Sequence, residues 1–124
     1  MKRSALLPLM LAAALATPAF AAGEMSVATF LAKADALRAR GMGALFSPDM
    51  KLLKSEGQAA GQAYRQRLTA ERAAGRPSSC PPRGVAVSSD NLLAFLRTYP
   101  DVQRPRVTMN AAMADYFIRK WPCR

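Results

Sequence analysis

Apolar residues recur at helical spacing in four stretches of the chain, and no run of β-branched residues alternates with polar ones as a strand would. The first stretch spans 26–41. Val27, Phe30, Leu31, Ala34 and Leu37 make one apolar stripe behind a Ser26 N-cap; Arg38 and Arg40 sit in the last turn, and Gly41 follows as a helix stop. A short apolar connection, "GMGALF", leads to the second stretch, 47–75. Ser47-Pro48-Asp49 is a strong start: a cap, a proline at the first helical position and an acid in the first turn. Leu53, Gly57, Ala60, Gly61, Tyr64 and Leu68 share a face, and Gly75 ends the segment. Gly57 and Gly61 each cost helix propensity. Close approach of another helix to the bare backbone is the expected reason for them, a weak point in a long helix the alternative.

The third stretch spans 89–100, with Ser89 read as its cap, Leu92, Leu93, Leu96 and Tyr99 as its buried stripe, and Pro100 as its stop. After a "DVQRPR" turn, the fourth runs from a Thr108 cap to Trp121. Its face carries Met109, Ala112, Met113, Tyr116, Phe117 and Lys120, and Pro122 ends it. Methionines and aromatics at this spacing read as core rather than as ligands. Between the second and third helices, "GRPSSCPPRGVAVSS" is a linker, since Pro81-Pro82 admits no helix. The predicted fold is all-α: a small four-helix bundle with short connections.

Ahead of these helices the chain reads differently. Lys2 and Arg3 precede an apolar run from about Ala5 to Ala16, and Ala19-Phe20-Ala21 fits a signal-peptidase site. Residues 1–21 are therefore expected to be a signal peptide cleaved after Ala21, with 22–124 a single domain. The apolar run is shorter than the roughly 20 residues of a spanning helix, and it holds no Cys for a lipid anchor. A periplasmic protein with no transmembrane segment after cleavage is expected.

Export gives meaning to the two cysteines. An even count in a short exported chain reads as a disulfide, and with two the pairing is Cys80 to Cys123. Closing that loop is worth about 4 kcal/mol in the chain-entropy view, and it would pin the linker to the C-terminus. The chain has no His, so two thiols alone make a poor zinc site and a nucleophilic Cys would lack its imidazole base.

Charge narrows the partners. The chain carries 18 Lys and Arg against 8 Asp and Glu. Losing Lys2 and Arg3 with the leader still leaves a net charge of +8. An anionic neighbour outside the cytoplasm fits this balance, whether acidic protein, lipid or wall polymer; so does a merely solvated basic surface. Export argues against nucleic acid. No catalytic constellation is visible: no phosphate loop, no metal-ligand cluster, and the carboxylates Asp35, Asp49, Glu56, Glu71, Asp90, Asp101 and Asp115 stand apart along the chain. No catalytic, cofactor-binding or metal residue is expected.

Three short motifs then stand in order: Cys80-Pro81-Pro82-Arg83-Gly84-Val85, the helix end Tyr99-Pro100, and the closure Trp121-Pro122-Cys123. With the small-residue helix before them, they make residues 57–123 resemble the Rap/Tai immunity proteins. These are small exported helical proteins that protect bacteria from peptidoglycan amidase toxins of type VI secretion. The resemblance implies a non-catalytic binding protein without cofactors, which occludes the active site of a cell-wall amidase, often as a homodimer. It carries over the pair Cys80 and Cys123 and no toxin-contact residue. Two other readings stay open. One is a periplasmic holdase of the small disulfide-bonded acid-stress type, whose acid sensing would rest on the few carboxylates. The other is a cationic envelope protein, against which Arg65, Arg72 and Arg76 spread around the second helix rather than forming a stripe.

Overall fold

The computed structural model describes residues 21–124; the expected signal peptide, apart from Ala21, lies outside the described residues. Four α-helices make the framework: α1 Val27–Arg40, α2 Pro48–Ala73, α3 Ser89–Leu96 and α4 Met109–Lys120, with no strand among the described residues. The "GMGALF" connection is itself helical, a 3-10 turn over Gly41–Phe46, and a second one covers Arg104–Arg106 within the "DVQRPR" turn.

Helix starts follow hydroxyl chemistry. The hydroxyl oxygens of Ser26, Ser47 and Thr108 accept from the amides of Thr29, Asp49 and Ala111. At α3 the reading of Ser89 as the cap is corrected. Ser88 is the cap, accepting from the Asn91 amide, and Ser89 is the first helical residue. Both neighbours are serines, so local sequence left the choice to the path of the incoming linker. Helix α3 also stops at Leu96, short of Pro100; Tyr99 reaches the core from the turn that follows. At the end of α2, Gly75 takes φ 71°, and the amides of Arg76 and Gly75 reach back to the carbonyls of Glu71 and Arg72. That paired bonding closes the last turn and needs the left-handed residue glycine supplies.

Helix α2 is the spine, packing chiefly on α4 and α1. Leu53, Ala60, Tyr64 and Leu68 bury one side of it; Met109, Ala112, Met113, Tyr116 and Phe117 bury the matching face of α4. Tyr64 and Phe117 meet with ring centroids 4.8 Å apart, Phe117 meets Trp121 at 5.2 Å, and Phe95 stands edge-on to Tyr116 at 5.4 Å. These tilted and edge-on pairs suit the ring quadrupoles. Trp121 and Tyr116 are thus spent inside the molecule. Lys120, placed on the buried face by spacing, is exposed instead. Its ammonium lies over the Tyr116 and Trp121 rings at 5.4 and 5.3 Å and donates to the Tyr116 hydroxyl at 3.1 Å.

The segment ahead of α1 is tied down by backbone pairing. Asn110 and Met109 donate to the carbonyls of Gly23 and Met25, Val27 donates to Val107, and Ser26 and Thr108 form a single antiparallel bridge. A side chain at Gly23 would collide with Asn110. Glu56, 4 % exposed on the buried side of α2, accepts from the Met25 amide at 2.8 Å. Spacing along α2 did not single out this buried acid; its partner lies 31 residues away.

Candidate functional site

Three features of this frame bear on function: a clasp at one end, an apolar knuckle at the other, and a groove between.

The clasp is the Cys80–Cys123 disulfide, with Cα atoms 5.0 Å apart. It does not act alone. The Cys80 amide donates to the Trp121 carbonyl at 2.7 Å. Next to it, Ser79 is fully buried and shares a hydrogen bond with the Tyr64 hydroxyl at 2.6 Å; Ser78 shares another with the same oxygen at 2.8 Å. Glu71 takes both the amide and the hydroxyl of Ser78. The Ser78 hydroxyl is the main reason its carboxyl lies below the usual carboxylate range, with Arg67, bonded at 3.0 Å, adding to it. Four side chains of ordinary type, Tyr64, Glu71, Ser78 and Ser79, thus bolt the linker to α2. No sequence motif announces them, because their partners lie 7 to 15 residues away across a loop.

A second clamp lies on the other side. Arg97, just past α3, donates to Asp35 of α1 at 2.7 Å, and that bond holds the Asp35 carboxyl below its ordinary range. Tyr99 donates to Asp115 of α4; burial first, and this bond second, push its hydroxyl above the ordinary tyrosine range. Most of the carboxylates that looked isolated along the chain are therefore partnered; Asp90, in the first turn of α3, is not among them. Asp49 pairs with Lys33 and Asp101 with Arg104. These are structural contacts with cations, hydroxyls or backbone amides, and no side-chain hydrogen bond joins two carboxyls among the described residues. Among the described residues no three His, Cys, Asp or Glu side chains group as metal ligands, and no helix is long and apolar enough to cross a membrane.

The knuckle is the 3-10 turn between α1 and α2. Ala44 is buried beneath it, while Met42, Leu45 and Phe46 stand 81 %, 58 % and 90 % exposed. Leu52, near the start of α2, is exposed as well. Around this tip stand the exposed cations Arg38, Arg40, Lys51 and Lys54. Exposed single apolar residues are common; three within five positions on one 3-10 turn make a concentrated apolar patch.

The groove opens beside the knuckle, with a volume of about 880 Å³. Phe30, Leu37, Leu53, Leu92, Leu93 and Phe117 supply much of its wall. Gly57 and Gly61 line it one turn apart on α2, and a Cβ at either would meet nothing within 4 Å among the described residues. The expectation that another helix packs against these glycines is thus corrected. Among the described residues the space above them is open, and the groove runs there between residues of all four helices. Gln58, Gln62, Lys54 and Arg65 form the polar edge along α2, and Arg38 faces it from α1; no acidic residue lines the groove. Among the described residues neither Arg38 nor Lys54 is in an ion pair, while Arg65 reaches the Val85 carbonyl at 3.4 Å.

Comparison of the chain with protein-family models, with curated proteins and with solved structures gives no match. The case for a function rests on the residues.

Proposed function

We propose that the protein is an exported, periplasmic binding protein of the immunity type, a non-catalytic four-helix bundle that neutralises a peptidoglycan amidase by filling its active-site cleft. The ordered motifs around Cys80, Tyr99-Pro100 and Trp121-Pro122-Cys123 support the class of partner. The observation that carries the mechanism is the knuckle. Met42, Leu45 and Phe46 project from a turn held between two helix ends, so a partner cleft receives them with little ordering cost. Aromatic side chains entering a pocket are the usual anchors of such interfaces, and the surrounding cations suit an acidic cleft margin. Inhibition by occlusion needs a rigid inhibitor. The disulfide, the Tyr64–Ser79 bond and the Asp35–Arg97 pair supply that rigidity far from the tip.

The test is capture and inhibition. The oxidised protein, residues 22–124, is expected to retain a wall amidase from envelope extracts of the native cells and their competitors and to abolish its activity on isolated peptidoglycan. Phe46→Asp should remove inhibition while leaving the helical circular dichroism unchanged, because Phe46 makes no core contact at 90 % exposure. Full inhibition by Phe46→Asp and Met42→Asp would place the contact elsewhere, and absence of any captured amidase would remove the reading.

A further inference from the structure

We infer that the groove is a binding site for a single-chain anionic amphiphile, such as a long-chain fatty carboxylate, with the alkyl chain along Gly57 and Gly61 and the head group held by Arg38 and Lys54. This does not rest on the amidase reading, which uses the knuckle.

Three independent observations converge on it. First, the walls are apolar and the volume, about 880 Å³, falls within the roughly 300–1,000 Å³ of pockets that take one small molecule. One chain fits that scale. Second, the two glycines stand mid-helix, and no described residue comes within 4 Å of a Cβ built on either. Were the groove without an occupant, alanine at either position would meet no obstacle and would make a better helix. Glycine there keeps the channel wide beside the α2 backbone. Third, the charged residues lining the groove are all cationic, and two of them, Arg38 and Lys54, have no ion-pair partner among the described residues. A ligand with an apolar body and a negative end satisfies the walls and the edge together. A purely apolar ligand would leave the cations idle, and a polar anion would leave the walls dry and unused.

The experiment is calorimetric titration of the oxidised protein with dodecanoate below its micellar concentration, beside 1-dodecanol and vesicles of phosphatidylglycerol. Saturable binding of one dodecanoate per chain is expected, at least about tenfold tighter than the alcohol, whose missing charge forfeits the Arg38 and Lys54 contacts. Gly61→Leu should cut dodecanoate affinity by at least about tenfold by filling the channel, with thermal stability kept or raised. Gly57→Leu serves in its place if Gly61→Leu loses its helical circular dichroism. Arg38→Gln with Lys54→Gln should bring dodecanoate down to the affinity of the alcohol. No saturable dodecanoate binding, equal affinity in the leucine variants, or binding confined to the vesicles would each overturn the inference. Loss of amidase capture with dodecanoate binding intact would leave it standing, so the two proposals fail separately.

Discussion

Replacing Gly57 and Gly61 by alanine tests whether the face of α2 between them is truly open. Both residues lie inside a 26-residue helix, neither has a positive φ, and a Cβ at either finds nothing within 4 Å among the described residues. With no clash to pay for and no new packing to gain, helix propensity alone remains. It favours alanine over glycine by about 0.8–1.0 kcal/mol in a helix interior. Residues four apart on a helix have Cβ atoms about 5–6 Å from each other, too far for two methyls to interfere, so the double variant should gain about 2 kcal/mol. For a domain of this size each kcal/mol moves Tm by roughly 4–8 °C. In urea, where m is about 1–3 kcal/mol/M for small proteins, the midpoint should rise by about 1 M with m unchanged. Urea unfolding followed by circular dichroism on the oxidised protein reads this directly. A loss of about 1 kcal/mol or more in either single variant would refute the reasoning, since only a neighbour occupying that space turns the propensity gain into a clash.

Three further outcomes follow from named contacts. Cys80→Ser with Cys123→Ser should lower the unfolding free energy by about 4 kcal/mol, from the 43-residue separation the bond closes; denaturant unfolding of the oxidised and variant proteins measures it, and a loss under about 1 kcal/mol would mean that the Tyr64–Ser79 and Cys80–Trp121 hydrogen bonds hold the clasp without it. Ser88→Ala should cost about 1 kcal/mol and Ser89→Ala much less, because the Ser88 hydroxyl takes the Asn91 amide; equal losses would return the cap to Ser89. Asp35 and Glu71 hold their protons less tightly in the fold than in the unfolded chain. Their contribution is complete above the ordinary carboxylate range, near about pH 4, and is lost as pH falls below it through the lowered folded values. The urea midpoint should therefore drop from about pH 4 downward, and Asp35→Asn with Glu71→Gln should flatten that drop; an identical profile in the double variant would assign the acid response to other groups.

Much of the frame was legible because its causes are local. Ser26, Ser47 and Thr108 precede their helices and cap them, Pro48 sits at a first helical position, and Gly75 stands where α2 must stop. The helical spacing in α1 and α4 names residues that are buried, with Ala34 only partly so and Lys120 the exception. The Cys80–Cys123 pairing follows from there being two cysteines.

What tertiary structure decided is whatever depends on partners distant along the chain. The sequence by itself determined four helices, three of their four N-caps and the disulfide, since each rests on residues within a turn or two or on simple counting. It did not show that Glu56 would be buried under the Met25 amide, that Tyr64 and Glu71 would bolt down Ser78 and Ser79, or that Asp35, Asp49, Asp101 and Asp115 would each find a cation or a hydroxyl. Nor did it show that Gly57 and Gly61 face a groove instead of a helix. Spacing tells which residues share a face; only the directions in which α1, α2 and α3 cross tell whether that face meets a neighbour or open space. The candidate site belongs to this second kind. Its apolar walls are drawn from all four helices and the cations at its edge from α1 and α2, and the space between them exists only once the helices are packed.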